Sequence, residues 1–496
     1  MSMSKRPIKN RQHPIKLLSY TTRYFWLLLI PLARSLYSIA LDVNAWAAWI
    51  EGAWLDLVVL AVIFAFAWVR WVNIYFYFDE EKITVVKGVI AETKTTVLFP
   101  EISTLSITQS FLYRLFGACT VKIGTNAGFM DSADITIVMK KSDADRLYLR
   151  LKNSKAKSLL YSISPNKLRL WTFSLLFSST LSGAVLTAAL LLETSQMIDR
   201  EVEARLILDT LTEAANRFGQ FVPPIAAAVA IVVIVAWIIS FVSNIFSFWD
   251  HVITKSKDSI YTRSGLFIKN RHIISLDKIN CIELRQNLAS RIFRVSTINV
   301  HACGYGTKSR SESSVLLPIA GKKEILSTLK EVFPEYPKPK TQIKSDIKSV
   351  GGFFVWPIIW AVIPPIALWI MYLFLPDWYT VAEPAAFIAE IPAVWLAIVK
   401  TVSVFTTGIG HSDGYFTLSY ARIFAFRTVI VPKDKITKIT IRQSPIQHLN
   451  GTCTVLVYTA SDSRTVHRIF GLRLDRALNF FDGCGMDLYF TENPQG

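Results

Sequence analysis

The stretch Ile102-Ser-Thr-Leu-Ser-Ile-Thr-Gln-Ser-Phe-Leu-Tyr-Arg-Leu-Phe-Gly-Ala-Cys-Thr-Val121 is written three times in this chain. It returns as Ile279-Asn-Cys-Ile-Glu-Leu-Arg-Gln-Asn-Leu-Ala-Ser-Arg-Ile-Phe-Arg-Val-Ser-Thr-Ile298. It returns again as Ile436-Thr-Lys-Ile-Thr-Ile-Arg-Gln-Ser-Pro-Ile-Gln-His-Leu-Asn-Gly-Thr-Cys-Thr-Val455. The copies align without a gap. Gln109, Gln286 and Gln443 share one column, Arg114, Arg291 and His448 the next polar one, and Thr120, Thr297 and Thr454 the last. Such repetition means one structural unit used three times.

Outward from the motif, each copy is set in the same surroundings. Alternating stretches precede it (Lys82–Ile90, Ser259–Phe267, Gly414–Tyr420) and follow it (Ile135–Met139, Val315–Leu317, Thr465–Ile469), and all read as strands. Helix-compatible stretches close the units at Ala144–Leu151, Lys322–Phe333 and Leu474–Phe481. Upstream lie apolar runs near the ~20 residues a bilayer requires: Tyr24–Leu41, Trp54–Tyr75, Leu170–Leu192, Phe221–Phe246, Gly351–Leu375 and Pro384–Val404.

The expected architecture is α+β: six transmembrane helices in three pairs, each pair followed by a small β-barrel or sandwich that its last helix plugs. The boundaries are a basic N-terminus 1–23, span pair 24–75, domain 76–157, span pair 170–246 with an external loop 193–220, domain 250–333, linker 334–348, span pair 351–406 and domain 410–484. The apolar spacing of Val202, Leu206, Leu208 and Leu211 fits an amphipathic helix in that loop.

A mean hydropathy of +0.36 suits a mixture of spans and globular parts. The formal charge of +17 falls almost wholly on one side of the spans, and Lys and Arg resist translocation. Both termini are therefore expected in the cytoplasm. No base-reading motif accompanies the charge, so nucleic acid is not an expected partner. Cys119, Cys281, Cys303, Cys453 and Cys484 form no CxxC pair and are expected as reduced thiols.

The pattern Ile-(x)6-Gln-Ser-(x)3-Arg-Leu-Phe-Gly-x-x-Thr-Val after two spans and a hairpin resembles the bacterial pleckstrin-homology-like (PH-like) membrane family. His13-Pro14 resembles the N-terminal signature of its long, three-domain members. The resemblance covers nearly the whole chain. It implies a PH-like fold, residence in the bacterial inner membrane, adaptor or assembly roles and a smaller PH-like membrane protein as partner. The second copy departs from it at Arg294, where the others have Gly117 and Gly451; the third has His448 and Asn450 against Arg114 and Phe116.

The candidate residues are those of the motif: Gln109, Arg114, Phe116, Gly117, Gln286, Arg291, Phe293, Gln443, His448 and Gly451. The Gln column either satisfies backbone where the strand breaks or contacts a shared ligand. The Arg column pairs either with lipid phosphate or with an acid of its own domain. Gly117 and Gly451 allow a tight re-entry into the next strand. Arg34, Glu390 and Lys400 are the polar residues inside spans and candidates to line a path; otherwise Arg34 snorkels to the outer interface near Asp42 or Glu51, and Glu390 and Lys400 are paired within the bundle or the last span begins later and leaves Glu390 at the surface. His301 and Cys303 alone do not make a metal site. With no nucleophile elbow or phosphate-cradling loop, neither catalysis nor a cofactor is expected.

Three functions follow from different classes. The first is a membrane scaffold presenting three cytoplasmic domains to protein partners, with an edge left for a further PH-like unit. The second is a sensor of anionic lipid headgroups, through basic runs such as Lys152/Lys155/Lys157 and Lys433/Lys435/Lys438. The third is an accessory component of a transport or export system.

Overall fold

The computed structural model describes residues 10–21, 45–79, 81–89, 91–125, 134–155, 159–165, 170–172, 174–175, 224–302, 315–374, 376–459 and 466–486. Unit 1 comprises β1 (Asn10–Arg11), α1 (Ala45–Val72), β2 (Tyr75–Phe78), β3 (Lys82–Lys87), β4 (Thr93–Leu98), β5 (Ile102–Gln109), α2 (Phe111–Leu115), β6 (Ala118–Thr125), β7 (Ile135–Lys140) and α3 (Lys141–Lys155). Unit 2 repeats it with β8 (Leu159–Ile163), α4 (Pro224–Ser247), β9 (Val252–Ser256), β10 (Ser259–Ser264), β11 (Lys269–Ser275), β12 (Ile279–Asn287), α5 (Leu288–Ile292), β13 (Val295–Ala302), β14 (Val315–Gly321) and α6 (Lys322–Val332). Unit 3 has β15 (Ile343–Lys344), α7 (Val350–Phe374), α8 (Pro376–Thr406), β16 (Gly408–Ser412), β17 (Tyr415–Arg422), β18 (Ala425–Pro432), β19 (Ile436–Arg442), α9 (Pro445–Leu449), β20 (Thr452–Thr459), β21 (Val466–Arg473) and α10 (Leu474–Gly483).

Each unit is a sandwich of two antiparallel sheets with its last helix packed on the core. In unit 1, Phe76, Ile83 and Val85 of one sheet meet Leu105, Val121 and Ile135 of the other, and Ala144, Leu147 and Leu151 of α3 complete the cluster. The first sheet of each unit begins before its apolar helices: β1, β8 and β15 pair with β2, β9 and β16. These short strands are too brief for a period-2 signal and were not legible in the sequence.

Of the two forms expected, barrel or sandwich, the units take the sandwich, and their sheets do not stop at the unit boundary. The sheet order is β1-β2-β3-β4, then β7-β6-β5-β11-β10-β9-β8, then β14-β13-β12-β18-β17-β16-β15, then β19-β20-β21. The second sheet of unit 1 thus continues into the first sheet of unit 2, and that of unit 2 into unit 3. Pairing β5 with β11 and β12 with β18 satisfies backbone groups that a lone sandwich would leave at its edges.

Among the described residues, one helical stretch, Ile347–Phe374, has the length and apolarity to cross a bilayer. Shorter apolar stretches, Leu60–Val72, Ile234–Ser247 and Pro392–Thr406, lie in α1, α4 and α8. The expected spans 24–41 and 170–192 fall outside the described residues or mostly so, as does loop 193–220. α8 begins at Pro376, earlier than the span start expected at Pro384, and packs against α7. Trp356, Ile358, Ile363 and Trp369 of α7 are exposed, an apolar surface suited to lipid.

Candidate functional site: the shared sheet edges

The motif makes the same bend three times. At the end of β5, β12 and β19 the Gln side chain donates from Nε2 to a carbonyl of the returning strand. The bonds are Gln109 to Ala118 (3.0 Å), Gln286 to Val295 (2.9 Å) and Gln443 to Thr452 (2.8 Å). A one-turn helix follows. In unit 2, Asn287 Oδ1 accepts from Ser290 N at 2.6 Å and Ser290 Oγ accepts from Asn287 N at 2.8 Å. In unit 3, Ser444 and Gln447 make the same reciprocal cap, with Pro445 at the first position. The next-but-one residue is left-handed: Gly117 (φ +64°), Arg294 (φ +54°) and Gly451 (φ +63°). It turns the chain into β6, β13 or β20.

These bends lie at the end of their sheets nearest the apolar helices. Asn450 Nδ2 donates to the carbonyl of Lys348, just before α7, at 3.2 Å. Tyr113 of α2 packs with Ile15, close to Gln12, whose carbonyl accepts from Trp71 at the foot of α1 at 3.0 Å. In unit 2 the β10–β11 hairpin reaches the last turn of α4, where Leu266 N donates to Phe246 O at 2.9 Å and Phe267 lies edge-on to Phe246. At this level the bends expose Leu115 and Phe116, Ile292 and Phe293, and Ile446 and Leu449. Phe116 and Phe293 therefore do not belong to the core; their exposure suits the bilayer interface.

The junctions between units carry the buried polar chemistry. Ser106 Oγ lies 2.7 Å from His272 Nδ1 across the β5–β11 pair. Burial, with His251 and Lys122 adding to it, holds the His272 imidazole down to about 3, so it is neutral at physiological pH. Arg271 of β11 pairs with Asp145 of α3 at 2.8 Å. Tyr261 and Ile273 of unit 2 join the core of unit 1. At the second junction Glu283 of β12 takes the place of Ser106. Its Oε2 lies 2.8 Å from His301 Nε2, and its Oε1 lies 3.3 Å from Arg427 Nε of β18. Burial would raise the Glu283 carboxyl; the His301 hydrogen bond and the charges of His301, Arg427 and Arg285 overcome it and hold it at about 2.

The second polar column of the motif also faces the next unit. The Arg291 guanidinium stands 4.6 Å from the Phe426 ring centroid, in β18 of unit 3. Sequence reasoning offered lipid phosphate or an acid of the same domain; a ring of the neighbouring unit was not foreseen. Arg114 approaches Lys269, the residue of β11 at the place of Phe426. Arg114 most, then partial burial and the charges of Lys141, Arg263 and Arg271, lower the Lys269 ammonium from its usual range. Beside these cations opens a cleft of about 510 Å³, walled by Leu170, Trp171, Ile245, Trp249 and Leu266 and by Arg263, Lys269 and Arg271. His448, the third member of the column, is exposed on α9.

Of the polar residues expected inside spans, Arg34 lies outside the described residues. Glu390 and Lys400 are both half-buried on α8. Ten residues of helix separate them by about 15 Å along the axis, so they cannot pair with each other. Cys119, Cys281 and Cys453 are buried and in no disulfide, Cys484 is half-buried and Cys303 lies outside the described residues.

Fold and junctions define a class: PH-like sandwiches strung edge to edge and attached to apolar helices. The Bacterial PH domain family matches residues 29–155, 206–333 and 350–484, and the chain belongs to that family. It is similar to the UPF0699 transmembrane protein YdbT of Bacillus subtilis (strain 168), 19% identical over 287 residues. That similarity covers 54% of this chain and 58% of the relative's length. No solved structure matches.

Proposed function

We propose that the protein is an integral scaffold of the bacterial cytoplasmic membrane. Six spans in three pairs, with both termini inside, hold three PH-like units as a cytoplasmic platform for protein partners, a smaller PH-like membrane protein among them. No catalytic role is part of this reading. The observation that carries it is the continuity of the sheets, with Ser106 against His272 and Glu283 against Arg427 tying neighbouring units together. Edge pairing is also a common mode of peptide and protein recognition. The test is crosslinking in native membranes followed by peptide mapping. The scaffold reading expects crosslinks from the unit surfaces to a discrete partner in fixed proportion to the chain. Crosslinks confined to the chain itself would contradict it.

The cleft beside Lys269 favours a second activity, contact with anionic headgroups. Cations there are clustered, and Trp171 and Trp249, a residue type enriched at bilayer interfaces, line the same cleft. Each Lys or Arg near an anionic leaflet contributes about 1 kcal/mol. Native mass spectrometry of the detergent-dispersed chain should show anionic lipid retained by the wild type and lost from Arg114→Ala/Lys269→Ala. Equal retention by both would remove this reading.

A further inference from the structure

Among the described residues, the chain makes one kind of junction twice and leaves both halves of a third unused. In each junction the last strand of a unit's first sheet (β11, β18) pairs antiparallel with the motif strand of the unit before it (β5, β12). By position in the repeat, the remaining first-sheet strand is β4 and the remaining motif strand is β19. Each ends its sheet among the described residues. The difference is visible in burial. Seven of the eight residues of β5 and the first six of β12 are buried, whereas β19 has no buried residue. In β4 only Val97 is buried, against five residues in each of β11 and β18.

One polar group on the open edge lacks the partner that its equivalents have. Thr440 occupies the position of Ser106 and Glu283 in the repeat. Ser106 reaches His272 and Glu283 reaches Arg427, both across a junction. Thr440 Oγ1 is shielded from solvent and has no hydrogen-bond partner. A strand paired along that edge would bring it a partner, as β11 and β18 do for its equivalents.

We infer that β19 of one copy of this chain pairs antiparallel with β4 of a second copy, making the third junction between molecules. Ser106 stands opposite His272 in the first junction and Glu283 opposite Val429 in the second. Both strands β11 and β18 run directly into a one-turn helix, as β4 does. Counting back from that helix, His272, Val429 and Thr95 coincide, so the transposed register sets Thr440 opposite Thr95. It also sets Ile441 opposite Lys94, repeating the observed pair of Ile107 with Arg271. Gln443 then faces Glu92, which accepts from the Tyr75 hydroxyl at 2.7 Å, and this register would bring its carboxylate beside Arg442. Opposite charges thus meet at the end of the strand. Lys94, Lys438 and Arg442 do not forbid pairing, because Lys269 and Arg271 already lie within the first junction.

The second copy is the occupant because the chain carries both complementary edges and exposes both. The two edges are different surfaces, so pairing is head-to-tail and continues until a ring closes or a row ends. Confinement to one membrane raises the effective concentration of the edges for each other. The inference deepens the scaffold reading and rests on it for its purpose, though not for its geometry.

The test uses the full chain in native membranes, with two copies carrying different tags. One copy bears Thr440→Cys and the other Thr95→Cys, with mild oxidation or a short bis-thiol reagent. An interchain adduct between the tags is expected. The control pairs Thr440→Cys with Lys94→Cys, which places the thiols on opposite sheet faces. About tenfold less adduct is expected there, since side-chain direction alternates along a strand. A separate variant, Thr95→Lys, should reduce the detergent-dispersed particle to a single chain without lowering its thermal stability. Absence of the adduct, equal yields in both pairs, adducts between two Thr440→Cys copies, or wild-type particles of single-chain mass would each overturn the inference. So would capture of Thr440→Cys by a different, smaller protein, an outcome that leaves the scaffold reading standing. Failure of the scaffold reading shows separately, as the lack of any partner crosslink when the copies do pair.

Discussion

Arg291 of unit 2 lies over the ring of Phe426 in unit 3, its guanidinium carbon 4.6 Å from the centroid. The contact joins residues far apart in sequence, and burial lowers the Arg291 guanidinium from its usual range. A half-desolvated stack of this kind is worth about 1 kcal/mol. Arg291→Ala is expected to speed hydrogen exchange in β18, near Ala425–Thr428, and to leave β5 and β11 unchanged. Arg291→Lys should fall between the two, because a compact ammonium stacks less well. Equal acceleration in all three units would show a general loss of stability instead.

The left-handed position of the bend gives a stability series. Arg294 takes φ +54° where the other copies have glycine. Arg294→Gly should raise the thermal midpoint, by relief of about 1 kcal/mol. Gly117→Ala and Gly451→Ala should lower it by a similar amount. No atom lies within 4 Å of a Cβ built at either glycine, so the cost there is backbone conformation alone. The readout is thermal unfolding followed by circular dichroism.

The Gln column should behave as backbone support. Gln109→Ala, Gln286→Ala or Gln443→Ala each removes the donor to a strand carbonyl, at a cost of about 1–3 kcal/mol where the carbonyl stays dry. The expected result is a lower thermal midpoint in every copy. Loss of a bound lipid or partner at unchanged midpoint would assign the column to ligand binding instead.

Acid should open the junctions in order. His272 titrates near 6.5 when unfolded and is held to about 3 in the fold. The unfolded chain therefore binds the proton first, and stability falls as pH drops from 6.5 toward 3. Glu283 is held at about 2 against an unfolded value of 4.5, so its contribution is present above 4.5 and lost only as pH falls toward 2. Hydrogen exchange, corrected for the intrinsic pH effect, should loosen β5 and β11 at pH 5 before β12 and β18. His272→Gln should flatten the first response.

Much of this organisation is legible in the residues. Gapless repetition marks three units, alternation marks β3, β10 and β17, and the closing helices follow from their apolar spacing. The Gln and Gly columns were placed at the strand-to-turn break, where the structure has them. The fusion of sheets was not legible, because pairing between strands of different units leaves no periodic trace. A weak signal existed: Thr93-Lys-Thr-Thr in β4 is more polar than Arg271-His-Ile-Ile in β11 or Val429-Ile-Val in β18. That contrast separates an open edge from a covered one. Arg291 and Phe426 were invisible as a pair for the same reason: only the fold brings them together.

The central claim is that the units form one platform through shared sheets, and the same motif strand in three settings tests it most directly. Hydrogen exchange would be measured on β5, β12 and β19 in Thr95→Lys chains dispersed as single molecules. The account predicts slow exchange throughout Thr104–Thr108 of β5 and Ile282–Arg285 of β12, where both edges are paired. In β19, amides pointing away from β20 should exchange fast. Equal exchange patterns in the three strands, with alternate amides fast in each, would contradict it and return the protein to three independent sandwiches.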